Sequence, residues 1–283
     1  MKFAIIGTGI MGRGWITQCV MTGHEAHCYD GNKEILAGTI DASEKLTGKV
    51  AKKFKIDDPD FVSKAVKKIT TYEDKESFME AAKCCDVFLE VIFEDLKLKC
   101  TVLSEFLPQL PENVMFWSNT SSLDINPMAE AGGRPDRSII THGMNPVPLM
   151  PGVEVVPGDK TTAETVEFTR QTLLDMKKAP FLAPNIPGFW VNRLLVPQML
   201  DAVRLLEQSF GRTLRDDYFD DLDVAEVGAD QVAVRVLPHS VWDRLLLSGV
   251  SAQIWMQPGV NRGNLEDHSA TAYDLPADSR EGS

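Results

Sequence analysis

KFAIIGTGIMG, residues 2–12, decides how this chain is read. Lys2-Phe3-Ala4-Ile5-Ile6 is a short apolar run with branched residues, the signature of a buried strand. Gly7-Thr8-Gly9-Ile10-Met11-Gly12 follows at once, so the glycines fall at G-x-G-x-x-G spacing between that strand and a helical pattern. In such a turn Gly7 permits the tight bend. Gly9 lets backbone approach a pyrophosphate, and Gly12 lets the helix pack close on the strand. Ile10 and Met11 fill the turn and count with the glycines as candidate cofactor contacts. The helix that opens near Gly12 would aim unpaired N–H groups and the positive end of its dipole at the phosphates. A second strand, residues 25–29, delivers Asp30. A carboxylate there can bond a ribose 2′-hydroxyl and would repel a 2′-phosphate, which predicts NAD rather than NADP.

Composition narrows the classes. The 283 residues allow one large or two moderate domains. A formal charge of −12 argues against a nucleic-acid partner. No apolar run approaches the roughly 20 residues of a membrane span. The glycine turn starts at residue seven, so no leader peptide is expected and a cytoplasmic location is. The five cysteines lack zinc spacing and read as reduced thiols; no metal site is expected.

Along the chain, apolar strands alternate with helical stretches. Helix is expected over 33–68, 76–84, 94–107 and 162–177, and strands over 68–71, 86–91, 114–117, 138–141, 153–156 and 180–183. This order predicts an α/β fold, a Rossmann-type doubly wound parallel sheet, with a second, smaller, mainly helical domain. The boundary is expected at Pro187-Gly188, giving an NAD-binding domain over 1–186 and a helical domain over 187–283, atypical after about 210. An amphipathic helix interrupted by Pro197 should open that second part. Ligands bind at the carboxyl ends of parallel strands, and Asp30, Ser121 and His142 each follow a predicted strand. Lys49, Lys52 and Lys53 form a basic cluster that can meet an anionic ligand or simply face water; Lys53 is the candidate substrate contact.

Three further segments stand out: Asn119-Thr120-Ser121-Ser122-Leu123, His142-Gly143-Met144-Asn145-Pro146-Val147-Pro148 and Pro187-Gly188-Phe189-Trp190-Val191-Asn192-Arg193. With the opening turn and Glu90-Val91-Ile92-Phe93-Glu94-Asp95-Leu96-Lys97-Leu98-Lys99, they make the chain resemble the NAD-dependent L-3-hydroxyacyl-CoA dehydrogenases from Met1 to about Gln208. Oxidising a secondary alcohol needs a base for the hydroxyl proton and a hydride acceptor beside the carbon. An imidazole titrates near neutral pH, so His142 suits the base. Glu154, set among valines, can accept from its other ring nitrogen. The resemblance implies that His142 and Glu154 are the catalytic pair. It implies that Ser121 bonds the substrate oxygen, that Asn192 holds the substrate carbonyl or helps seat the pair, that Asn119 and Ser121 contact the cofactor, that Asn145 bonds near the nicotinamide or fixes its loop, and that Glu94 and Lys99 belong to the cofactor loop. It implies an acyl-CoA substrate, turnover as in fatty-acid metabolism, and a homodimer if the second domain folds.

Two departures mark this chain. Gly143-Met144 stands where the family commonly has two aromatics, which would reshape the pocket. Beyond Gln208 no closing segment of the family type is found, and no lysine follows Lys178; the tail reads as diverged or as translated from another frame. Two other readings remain open from sequence. One is a β-hydroxyacid dehydrogenase acting on a free acid, a group that shares the glycine turn but uses a catalytic lysine. The other is a non-catalytic NAD-binding relative.

Overall fold

A computed structural model describes residues 1–210 of the chain, and side-chain surroundings as far as residue 201. Strands are β1 (Lys2–Ile6), β2 (Glu25–Tyr29), β3 (Ile69–Tyr72), β4 (Val87–Glu90), β5 (Met115–Ser118), β6 (Ser138–Gly143), β7 (Gly152–Pro157) and β8 (Ala179–Leu182). Helices are α1 (Ile10–Met21), α2 (Lys33–Ala37), α3 (Thr39–Lys53), α4 (Phe61–Val66), α5 (Lys75–Ala82), α6 (Leu96–Phe106), α7 (Ile125–Ala131), α8 (Ala163–Asp175) and α9 (Val191–Phe210). All eight strands join one sheet in the order β3-β2-β1-β4-β5-β6-β7-β8. The chain winds outward from β1 to β3, then returns to β1's other edge with β4, so the direction of winding reverses between β1 and β4.

β1 shows why the sheet is covered twice. Successive side chains of a strand alternate faces. Phe3 and Ile5 enter one core with Trp15, Ile16, Trp117 and Leu173, while Ala4 and Ile6 enter the other with Phe78, Phe88, Phe106 and Phe116. Both faces are apolar because both are buried, as in parallel sheets generally.

Three expectations need correcting. The single helix over 33–68 is three helices. Gly38 separates α2 from α3, and after α3 the backbone reaches positive φ at Lys55 before the Asp57-Asp58-Pro59 turn. The doubly wound sheet is parallel except at one pair, because β7 runs antiparallel to β6. Only eight residues, 144–151, join them. A parallel neighbour would need a crossover of about a dozen residues or more. Third, α7 lies where no helix was read; Asp124 caps it by accepting from Asn126 N, and Pro127 sits in its first turn, where the missing N–H does no harm. The helix after Pro187-Gly188 is present as α9 and runs through Pro197. Residues to Gln198 fall in one compact unit and α9 from Met199 in another. The expected helical domain and dimer interface beyond 210 lie outside the described residues.

All five cysteines are free. Burial raises the Cys28 thiol well above its ordinary value and pushes Cys85 up to about 12. In the unfolded chain these thiols ionise near pH 9, while the buried ones stay protonated. Their stabilising effect is therefore full below pH 9 and is lost as pH rises past it. The melting-temperature gap between the wild type and Cys28→Ala should thus narrow from pH 8.5 upward; a constant gap to pH 11 would show that Cys28 does not carry this linkage.

Candidate active site

The reversal between β1 and β4 opens a crevice at the carboxyl end of the sheet, the usual ligand position in such folds. Gly7 turns there at φ +94°, and a Cβ on it would lie 2.4 Å from the Val91 carbonyl oxygen. A Cβ on Gly12 would lie 2.0 Å from the Gly7 oxygen. At Gly9, by contrast, a Cβ would meet nothing within 4 Å, and no side chain caps α1. The first N–H groups of this 12-residue helix are thus left without a side-chain cap behind an unobstructed Gly9, a fit for a pyrophosphate. Asp30, at the end of β2, accepts from Thr8 N (2.7 Å) and Asn32 N (2.8 Å), which fixes its carboxylate beside the turn. These residues fit NAD. Gly12→Ala should weaken NADH binding about tenfold or more, a step of roughly 1.4 kcal/mol; unchanged binding by fluorescence titration would contradict the close approach.

Beneath the next loop lies a buried charged cluster. Glu90 ends β4 with its carboxylate inside the protein, accepting from Ser118 Oγ (2.6 Å) and Ile92 N (2.7 Å). Lys99, 1% exposed, reaches back from α6 to Glu90 (2.5 Å), Glu94 (3.3 Å) and the Ile92 carbonyl (3.2 Å). Glu94 also accepts from Thr120 Oγ1 (2.5 Å) and Ser121 N (2.8 Å). An ammonium between two carboxylates thus holds the 91–95 loop against the end of β5. A Glu–Lys pair nine residues apart across a strand end is stacked inward here, not exposed on a helix face.

His142 lies near the end of β6 and Glu154 on β7, and they are direct register partners of the antiparallel pair. His142 Nδ1 stands 2.7 Å from Glu154 Oε2. Both are buried, Glu154 completely. Glu154 Oε1 accepts from Trp190 N (2.8 Å) and Val191 N (3.0 Å) at the start of α9. The helix end and the imidazole thus share one carboxylate, one oxygen on each. The turn into α9 is tightly shaped: Gly188 sits at φ +77° and Phe189 at φ +46°. Phe189 is fully buried and presents itself edge-on to the His142 ring, centroids 5.6 Å apart.

The remaining sequence candidates divide. Asn192 Nδ2 lies 3.4 Å from the Ser121 carbonyl, so the α9 turn and the end of β5 meet. Asn119 Oδ1 accepts from Trp15 Nε1 (2.6 Å) and Gly143 N (3.3 Å), joining β5 to the His142 strand. Asn145 is exposed and precedes a cis bond to Pro146 in the 144–151 loop. Lys53 is exposed in the last turn of α3, with no bond to these residues. Among the described residues no group of side chains could hold a metal ion, and no helix is long and apolar enough to cross a membrane.

Sequence reading missed Glu90, Trp15, Phe189 and Lys178. Lys178 is buried and donates to the carbonyls of Val147 and Met150 (3.0 Å for the latter), tying down the loop after His142. Burial lowers its ammonium to about 8. A charged residue inside an apolar run signalled Glu90, as it did Glu154; nothing local signals the other three.

An imidazole anchored to a buried carboxylate, at the edge of a crevice shaped for a dinucleotide, defines a nicotinamide-dependent dehydrogenase. The profile of the family "3-hydroxyacyl-CoA dehydrogenase, NAD binding domain" matches residues 2–186. Mitochondrial hydroxyacyl-coenzyme A dehydrogenase of Sus scrofa is 37% identical over 225 residues, 78% of this chain and 69% of that one. A probable 3-hydroxybutyryl-CoA dehydrogenase of Deinococcus radiodurans is 35% identical over 207 residues, 72% of this chain and 71% of that one. The crystal structure of (S)-3-hydroxybutyryl-CoA dehydrogenase from Ralstonia eutropha superposes with a TM-score of 0.67 at 28% identity, covering 74% of this chain and 72% of that one. The chain belongs to the 3-hydroxyacyl-CoA dehydrogenase family, and its cofactor is NAD.

Proposed function

We propose that this dehydrogenase transfers a hydride between NAD and C3 of an (S)-3-hydroxyacyl-CoA, with His142 as the general base and Glu154 holding it. The carrying observation is the 2.7 Å contact between His142 Nδ1 and Glu154 Oε2, with the carboxylate anchored in turn on two backbone N–H groups. Glu154 fixes the tautomer with a proton on Nδ1, so Nε2 is left as acceptor. In the oxidative direction the substrate hydroxyl proton goes to Nε2, the C3–H electron pair leaves as hydride, and a C3 carbonyl forms. NAD, which the glycine turn and Asp30 would hold by its pyrophosphate and ribose, would supply the hydride acceptor. The imidazolium then lies against the Glu154 carboxylate, which offsets its charge in a site screened from water. Ser121 and Asn192 orient the substrate oxygen and thioester carbonyl, and Lys53 meets an anionic part of the CoA.

Glu94 and Lys99 act on the cofactor by shaping the 91–95 loop. The free-acid reading calls for a lysine at the reacting carbon. The two lysines buried among the described residues, Lys99 and Lys178, are instead engaged by Glu90 and Glu94 and by two loop carbonyls. The test is NADH oxidation at 340 nm with acetoacetyl-CoA beside acetoacetate. Turnover of the thioester alone is expected; turnover of the acid alone, or bound NADH with neither reaction, would overturn the assignment. A domain boundary at 187, a homodimer on condition that the second domain folds, and a cytoplasmic location complete the reading; sedimentation of the full chain at a dimer's mass tests the second.

A further inference from the structure

We propose that Trp15 is a positioning residue for this site, one that ties the cofactor helix to the strand carrying His142. Trp15 lies in the second turn of α1, the helix that opens directly after the glycine turn. Its side chain is fully buried. The indole has one polar atom, a donor, and it bonds Asn119 Oδ1 at 2.6 Å. Gly143 N donates to the same oxygen at 3.3 Å.

Two donors converging on one branch of the amide make that branch the oxygen, so the opposite branch is the N–H2 group. Nδ2 finds no partner among the described residues. Asn119 follows β5 at the carboxyl edge of the sheet and keeps 8% exposure. Trp15 therefore sets which way Asn119 faces and leaves its N–H2 as a free donor beside the crevice.

The ring has a second effect. A Cβ on Gly143 would lie 2.8 Å from Trp15 Cζ2 and 3.2 Å from Cε2. The indole fills the space that any side chain at 143 would need, so the residue after His142 is committed to glycine. One residue before Trp15, a Cβ on Gly14 would lie 3.1 Å from Val147 Cβ. Thus α1 presses on both the end of β6 and the loop beyond it. A shift of α1 moves the strand end that bears His142, and a misplacement of about 1 Å at a reacting group lowers the rate on the order of a hundredfold.

The proposal rests on His142 being the base, so His142→Gln is run alongside; retained turnover there would remove that assignment by itself. The variants are Gly143→Ala, Trp15→Phe, the pair together, and Asn119→Asp, which keeps the acceptor for both donors but loses the N–H2. Each is measured for kcat with acetoacetyl-CoA and for NADH affinity by fluorescence. Gly143→Ala should lower kcat about ten- to hundredfold with NADH affinity changed less than about threefold. In the Trp15→Phe background the same change should lower kcat less than about threefold, because the ring atoms it strikes are gone. Asn119→Asp should lower kcat about tenfold or more and carries the test if Trp15→Phe does not fold. Equal effects of Gly143→Ala in the two backgrounds, or wild-type kcat in Asn119→Asp, would overturn the proposal.

Discussion

His142→Gln is expected to lower kcat by about 10²–10⁴-fold, the range for losing a general base. Glutamine's amide can still reach toward Glu154, so the buried carboxylate keeps a partner and the fold should hold. It has no atom that takes up a proton near neutral pH. NADH affinity should stay close to that of the wild type, because the glycine turn, Asp30 and the 91–95 loop do not use His142. Stopped-flow turnover with acetoacetyl-CoA and a fluorescence titration with NADH separate the two effects. A variant with near-normal kcat would leave the imidazole without a chemical role. One that also lost NADH binding would point to a structural role.

Glu154→Gln should be at least as damaging, for a different reason. Its volume is unchanged, and its carbonyl can still accept from Trp190 N and Val191 N, so the start of α9 remains capped. The other branch of the amide is then an N–H2 facing His142 Nδ1. A donor there makes Nδ1 the acceptor and moves the ring proton to Nε2. The nitrogen that must accept the substrate proton already carries one. A fall in kcat of about 10³–10⁴-fold is expected, the order seen when the orienting carboxylate behind a catalytic histidine is amidated. Glu154→Ala would mix this effect with loss of the helix cap and a buried pair broken on one side, worth about 3–5 kcal/mol. The amide variant is therefore the cleaner test. Little change in kcat, with the fold intact by circular dichroism, would mean that the carboxylate serves α9 rather than the imidazole.

Much of the site could be read from local sequence because its parts depend on local geometry. Gly7 and Gly12 are dictated by close backbone: a Cβ at either would lie under 2.5 Å from a carbonyl oxygen, which only glycine avoids. Asp30 lies where strand length and turn length put it. Glu154 was legible as a charge among valines, and the sheet then brought it opposite His142. What stayed hidden depends on contacts distant in sequence. The antiparallel turn of β7 follows from a connection too short for a crossover, yet apolar runs such as Val153-Glu154-Val155-Val156 carry no direction. The break of the 33–68 stretch depends on Gly38 and the turn at 54–60, which interrupt a helical pattern without erasing it. Lys99 sits in a run that alternates like an exposed helix, and only the fold shows Glu90 and Glu94 closing around it. Gly143 looked like a lost aromatic; in the fold an aromatic from α1, Trp15, occupies its space.

The decisive measurement is a crystal structure with NAD and acetoacetyl-CoA bound together. His142 Nε2 should lie within about 2.6–3.2 Å of the C3 carbonyl oxygen, with Nδ1 still on Glu154. A ring turned away from that oxygen, or a lysine in its place, would contradict the assignment of His142 as the base.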